Sequence, residues 1–369
     1  MTALFDDNTD TLDASIEVAP SSTHGHAQEQ FVSMANAARV ALRTRGLEPS
    51  DIVRGWVRFA TMPHWGWRDD LSKALLATSE LPITGLVQPP AVGSQKCVLD
   101  LYAARGTSQS RLTQVGSPRV SSCVRAGVKH LRIMSIAPKL VPGASFENLA
   151  YDMFEQAGLA LSAHGLRFSD AVRTWVHVSD IDVNYSAMNR ARNRYFREQG
   201  LARLPASTCV EGFPVGVGAP LAMDLYAVST NSDVNWEALR SGTMGEASAY
   251  GVSFSRAVRL SEPGVERLFI SGTASIDARG QVVSVGNVSG QLDCMFRNVH
   301  SLLNEAQMGF ADVQSATMYL KHADYYGDYV KAARAYGLSA TVPCAVVVTN
   351  ICRPEWLCEI ELCAARRLG

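Results

Sequence analysis

The sequence predicts an α+β protein made of three tandem copies of one unit, arranged around a pseudo-threefold axis. Three observations predict it. Residues 46–57, GLEPSDIVRGWV, align without gaps to residues 165–176, GLRFSDAVRTWV, and eight of the twelve positions are identical. The same offset of 119 residues pairs Met34 with Met153, Ala38 with Ala157, Ala41 with Ala160 and Leu42 with Leu161. A third copy lies 142 residues further on: Met153-Phe154 matches Met295-Phe296, Phe168 and Asp170 match Phe310 and Asp312, Asp182 matches Asp324, and Arg192 matches Arg334. The closing segments also agree: CVLDLYAAR (97–105), LAMDLYAVS (221–229) and CEIELCAAR (358–366). Repeats at long fixed spacing mark one structural unit used several times.

Each copy has the same order of elements. A helix comes first, shown by apolar residues three to four apart, such as Phe31, Met34, Ala38, Ala41 and Leu42. A glycine-containing connection leads to a strand, IVRGWVRF or AVRTWVHV, rich in β-branched and aromatic residues. Copies two and three continue with a second helix, YSAMNRARNRYF in copy two, and every copy closes on a strand. Copies two and three also open with strands, KHLRIMSIA (129–137) and ERLFISGTAS (266–275), which copy one lacks. The expected divisions are a mobile tail over 1–26, a truncated unit over 27–105, a unit over 106–235 and a unit over 236–369. Helices packed on one face of a sheet give a two-layer α+β arrangement. Three such units in one chain imitate a homotrimer, with clefts between neighbours.

Composition narrows the partners. The chain has 369 residues, 47% of them hydrophobic, with 34 Lys and Arg against 35 Asp and Glu. A near-neutral balance argues against nucleic acid or an anionic membrane as the main partner. The one basic cluster, RARNR (190–194), reads as a solvated helix face, with an anion site as the alternative. No apolar run of about 18 residues is present, so no membrane span is expected. The acidic, polar N-terminus lacks the basic start and apolar core of a signal peptide. Eight cysteines without a Cys-x-x-Cys pair, several inside apolar strands, fit reduced thiols in a cytoplasmic protein. No spacing of His and Cys suggests a metal site, and no cofactor motif is seen.

The closing strands single out one residue. Aligned on the last acid, Asp100, Asp224 and Glu361 share one position, and Val98, Ala222 and Glu359 share another. An acid present in all three copies points to a structural role for Glu361. Glu359 stands where the fold accepts Val and Ala, and burying a carboxyl among apolar neighbours is costly unless it is used or paired.

Copy three, with FSRAVRL, RLFISGTASIDARGQVV, GQLDCMFRNVHSLLNEAQMGFADVQSATMYL and CEIELCAA, resembles the Rid (YjgF-like) family over residues 250–366. That resemblance implies the chorismate-mutase-like α+β unit, trimeric assembly with a small-molecule cleft at each interface, and hydrolysis of enamines and imines. The deaminases of the family hold the substrate carboxylate with an Arg fifteen residues before a strand Glu, whereas position 344 here is Cys344. GEASAYGVSFSRAVRL, FISGTASI and NICRPEWLCEIE are similar to the chorismatases, multi-unit Rid proteins of secondary metabolism. This narrower resemblance implies a cofactor-independent lyase or hydrolase acting on chorismate. It releases pyruvate and either a hydroxybenzoate, with 3-hydroxybenzoate favoured, or a dihydroxycyclohexadiene carboxylate.

The chorismatase resemblance places the catalytic acid at Glu359 and Cys352 beside it, in the hydroxybenzoate-forming branch. A buried packing thiol is the alternative for Cys352. Chorismate carries two carboxylates, so arginines are expected, with Arg353 first and Arg256 second. Tyr250 and Phe254 fall where Rid proteins line the cleft, or are packing residues. Gly272, Thr273, Ala274 and Ser275 bring backbone N–H groups toward substrate, or mark a bulge. Cys209, in the matching loop of copy two, lines a second cleft. Two other functions remain open: a Rid-type imine or enamine hydrolase, and a non-catalytic ligand-binding protein. The expected partner is a small carboxylate, and the expected assembly a monomer or a homo-oligomer.

Overall fold

A computed structural model describes residues 13–77, 80–105, 108–109, 118–125, 127–229 and 234–368. Each repeat builds one sheet. Unit one supplies β1 (Asp13–Val18), α1 (Ala27–Thr44), β2 (Ile52–Phe59), α2 (Trp67–Leu75), β3 (Ile83–Val87) and β4 (Cys97–Ala104). Unit two supplies β5 (Ser108–Gln109), β6 (Arg119–Arg125), β7 (Val128–Ile136), α3 (Phe146–Ser162), β8 (Ala171–Val178), α4 (Ile181–Glu198), β9 (Ala206–Glu211), β10 (Phe213–Val215) and β11 (Leu221–Val228). Unit three supplies β12 (Asn235–Leu239), β13 (Ala257–Glu262), β14 (Val265–Ala274), α5 (Val288–Glu305), β15 (Val313–Leu320), α6 (Tyr326–Ala335), β16 (Cys344–Val348) and β17 (Cys358–Arg367).

The strand orders are β1-β4-β2-β3-β10, β5-β6-β7-β11-β8-β9 and β12-β13-β14-β17-β15-β16. The closing strands β4, β11 and β17 are internal and antiparallel to both neighbours. The pairs β2–β3, β8–β9 and β15–β16 are parallel, each crossing over through a helix.

Each first helix buries its apolar stripe on its own sheet. Phe31, Met34, Ala38 and Leu42 do so in α1, Met153, Phe154, Ala157 and Leu161 in α3, and Met295, Phe296, Val299 and Leu302 in α5. Ser145 and Asn287 cap α3 and α5, accepting from the N–H groups of Asn148 and Gly290. A separate apolar cluster, with Trp56, Trp175, Tyr226, Trp236 and Leu260, draws on all three sheets and on no helix. The sheets therefore meet at the centre and the helices lie outside.

The junctions repeat cyclically. Pro90, Pro214 and Ile351 each stand seven residues before the start of a closing strand. Pro90 of unit one bridges Val347 of unit three, Pro214 of unit two pairs with Leu86 of unit one, and Ile351 of unit three bridges Val210 of unit two. Each unit thus straps itself onto the parallel edge strand of another, and the ring closes after three steps.

Two expectations are corrected. Residues 13–18 are not tail: they form β1, antiparallel to β4. Ala14 and Ile16 are buried, and Asp13, fully buried, accepts from Tyr102 Oη at 2.6 Å and pairs with Arg125. A six-residue strand with an acid at its start reads as polar tail until its distant cation is known. Residues 1–12 lie outside the described residues. Unit one also has a second helix, α2, and β1 supplies part of the opening strand pair it was expected to lack.

Candidate active site

A cavity of about 430 Å³ lies where unit three meets unit two. Unit three contributes β14, β17, residues 251–256 before β13 and residues 352–356 before β17. Unit two contributes the inner face of α4 and the strand β9. The isolated bridge between Val210 and Ile351 closes one side, reinforced by Glu211 N–H donating to the Asn350 carbonyl at 3.1 Å.

Glu359 forms the floor. It lies on β17, opposite Ala274 of β14 and Tyr319 of β15, and is 3% exposed. Among the described residues its carboxyl makes no hydrogen bond to protein, and it opens into the cavity. Gly272 makes room for it, because a Cβ at that position would stand 2.0 Å from Glu359 Oε1. Burial, and next the neighbouring Glu361 carboxylate, push the Glu359 pKa up to about 8, against the opposing pull of Arg173 and Arg256. A carboxyl in this state still carries its proton at neutral pH.

Glu361, two residues along the same strand, is in a different state. Arg173 Nη2 donates to its Oε2 at 2.5 Å and Trp175 Nε1 to its Oε1 at 3.1 Å. In the matching position Asp224 accepts from Trp56 Nε1 at 2.6 Å and Thr84 Oγ1 at 2.7 Å. Asp100 is met by Arg54 and Arg58 at 4.0 and 3.9 Å. The shared acid therefore has a structural place in every copy: Glu361 and Asp224 each join their unit to the preceding one, whereas Asp100 is held by arginines of its own unit.

The other expected residues divide. Cys352, Arg353, Arg256, Phe254, Gly272, Ala274 and Cys209 all line the cavity with Glu359. Cys209 joins this same cleft rather than a second one, because β9 of unit two forms its wall. Arg256 is buried and donates through Nε and Nη2 to the Gly245 carbonyl at 3.0 and 2.6 Å. Arg353 donates to the Gly280 carbonyl at 2.8 Å and lies over the Trp356 ring.

Thr273 and Ser275 stand apart from the cavity lining. Their hydroxyls bond the carbonyls of Ser271 and Val283 at 2.8 and 2.7 Å, and neither side chain lines the cavity. Strand alternation turns only Gly272 and Ala274 of this stretch toward the cleft. The Gly272 N–H is itself committed to Thr208 Oγ1 at 2.9 Å. Tyr250 ends a short turn, Ala247–Tyr250, and its side chain lies outside the described residues.

Sequence reading missed the wall from α4. Tyr185, Asn189 and Arg192 line the cavity. Arg192 is 1% exposed, so the basic cluster is not simply a solvated face. Its Nη2 donates to Asn189 Oδ1 at 2.5 Å, while its Nε is buried with no acceptor among the described residues. Arg190 and Arg194 do face solvent, beside Glu147 and Glu198. The available signal was Arg192's match to Arg334 across copies, but only the fold shows which helix faces which cleft.

Cys344, in the place of the deaminase arginine, does not line this cavity; its thiol contacts Tyr329 Oη at 3.2 Å. The strand registers make Ser207 its counterpart in unit two, and Ser207 does line the cavity. Neither position carries a cation. Among the described residues, no three His, Cys, Asp or Glu side chains are grouped to hold a metal ion, and no helix is long and apolar enough to cross a membrane.

Residues 246–366 match the family model described as Endoribonuclease L-PSP. A crystal structure of a chorismatase superposes with a TM-score of 0.67 at 16% identity, covering 97% of this chain and 100% of that one. A putative endoribonuclease from Thermotoga maritima matches at 20% identity, covering 36% of this chain and 98% of its own, with a TM-score of 0.31. No curated protein matches the chain. The chain as a whole thus has the fold of a chorismatase, built here from three α+β units, the third of which carries the match to the Endoribonuclease L-PSP model.

Proposed function

We propose that this protein is a chorismatase-like enzyme that cleaves the enolpyruvyl ether of chorismate and releases pyruvate. The observation that carries the reading is Glu359: a buried carboxyl with no hydrogen bond to protein among the described residues, its pKa raised to about 8, at the floor of an inter-unit cavity. An enol ether is cleaved by protonating its terminal methylene, which leaves an oxocarbenium ion. That step needs a proton donor whose pKa lies near the working pH. Glu359 supplies the proton. Attack on the cation by water or by the neighbouring ring hydroxyl gives a species whose collapse expels pyruvate, and the Glu359 carboxylate takes a proton back.

The two substrate carboxylates call for cations, and Arg192, Arg256 and Arg353 surround the cavity. Arg192 is best prepared, since its buried Nε has no acceptor among the described residues. Atom balance separates the products. A hydroxybenzoate plus pyruvate equals chorismate with no net water, whereas the dihydroxycyclohexadiene carboxylate retains one added water. Cys352 lines the same cavity as Glu359, and a thiol, which holds water poorly, supports the water-free route to a hydroxybenzoate, with 3-hydroxybenzoate the product we propose. An imine hydrolase reading is weaker, because neither Ser207 nor Cys344 provides its carboxylate clamp.

Incubation of the purified chain with chorismate, followed by pyruvate measurement and chromatography of the ring product, tests the reading. Release of pyruvate with a hydroxybenzoate is expected. Unchanged chorismate, with release of ammonia from an imino acid instead, overturns it.

A further inference from the structure

Cys209 and Cys352 come from different units and meet face to face. The bridge between Val210 and Ile351 is antiparallel, so its register sets residue 209 opposite residue 352. Both thiols line the same cavity, which fixes their side chains on the same side. Directly opposed residues of an antiparallel pair have Cα atoms about 4.5–5.5 Å apart. A disulfide accepts Cα separations of about 4.4–6.8 Å. Cys352 is half-buried and hydrogen-bonded to Tyr185, and Cys209 is 7% exposed.

We propose that Cys209 and Cys352 are an oxidation site, forming a reversible disulfide across the junction of units two and three. A hydroperoxide entering the cavity is the oxidant. The Cys352 sulfur attacks the O–O bond, giving a sulfenic acid and, from hydrogen peroxide, one water. The Cys209 sulfur then attacks the sulfenic sulfur, the S–S bond forms and a second water leaves. Two thiols lose two electrons in all, and the peroxide is reduced to two waters. Burial holds both thiols neutral, Cys209 up to about 12, while Arg192 beside Cys209 and Arg353 beside Cys352 pull the other way. The reaction is therefore slower than at an exposed thiolate. The bond replaces two thiols beside Glu359 with a rigid link and narrows the cavity. Its formation is independent of the proposed function; only its effect on pyruvate release rests on that reading.

The test treats the full-length chain with hydrogen peroxide, blocks free thiols, and maps tryptic peptides by mass spectrometry without reduction. A peptide joining Cys209 to Cys352, lost on adding dithiothreitol and absent from Cys209→Ser, is expected. A cavity ligand should slow its formation. Pairing of either residue with another cysteine, or sulfinic acid at Cys352 without a cross-link, overturns the proposal. The wild-type peptide map decides the matter even where Cys209→Ser folds poorly. If pyruvate is released by the reduced chain, oxidation should abolish the release and dithiothreitol restore it. A cross-link that leaves release intact overturns the effect on the cavity, and absence of release from the reduced chain counts only against the proposed function.

Discussion

Three junctions in this molecule share one backbone plan, and one of them carries a candidate active site. At the junction of units two and three the matching positions hold Glu359, Cys352 and Cys209. At the junction of units one and two they hold Ala222, Val215 and Gly85. There the Trp67 indole packs where a Gly85 Cβ would stand, 2.6 Å away, with the Val215 Cβ at 3.2 Å. At the junction of units three and one they hold Val98, Ala91 and Val346. Val98 and Ala91 join the apolar cluster around Val347. Identical strap geometry therefore gives one polar cavity and two packed seams. Side-chain chemistry at a few aligned positions makes the difference, because an unpaired acid is tolerable only where space and solvent reach it.

Removing the acid tests that contrast most directly. Glu359→Gln keeps shape and removes the proton donor, so kcat for pyruvate release should fall by about 10²–10⁴-fold while substrate still binds. Near-parent turnover would make the two-three junction no more catalytic than the others. Glu361→Gln attacks what the junctions share. It leaves the Arg173 guanidinium buried and uncompensated, so stability in urea should drop by about 3–5 kcal/mol. A variant as stable as the parent would show that the central acids do not join the units.

Gly272→Ala probes the space that the active junction keeps. Its methyl would collide with Glu359 and displace the carboxyl, and a shift of about 1 Å costs about 10²-fold in turnover. Full activity would mean that the acid relocates freely. The last test is the pH dependence of stability. The Glu359 pKa is raised from 4.5 when unfolded to about 8 when folded. Between those values the folded state holds the proton that the unfolded state has released, so stability falls as pH rises through this window. Glu359→Gln should flatten that slope in thermal melts at several pH values. Activity should likewise fall as pH rises through about 8.

The repeat was legible because the V-R-x-W-V strands and the closing strands fill equivalent positions in each sheet, and Asp51 and Asp170 accept from the Glu48 and Arg167 N–H groups in the same turn. Glu359 was legible for the same reason: alignment with Val98 and Ala222 exposed a carboxyl where the fold asks for none. β1 was hidden because its buried Asp13 looks polar until Arg125 is brought to it from 112 residues away. Of Gly272 to Ser275 only Gly272 and Ala274 line the cleft, because alternate residues of an extended chain face opposite ways.

The sequence by itself determined three α+β units, their order and the one closing strand with an extra acid, since these follow from local periodicity and comparison between copies. Only the tertiary structure decided that α4 and β9 of unit two complete the cavity, that Arg192 is buried there, and that Cys209 faces Cys352. Those pairings depend on how the straps dock one unit onto the next, and contacts between units leave no periodic signal along the chain.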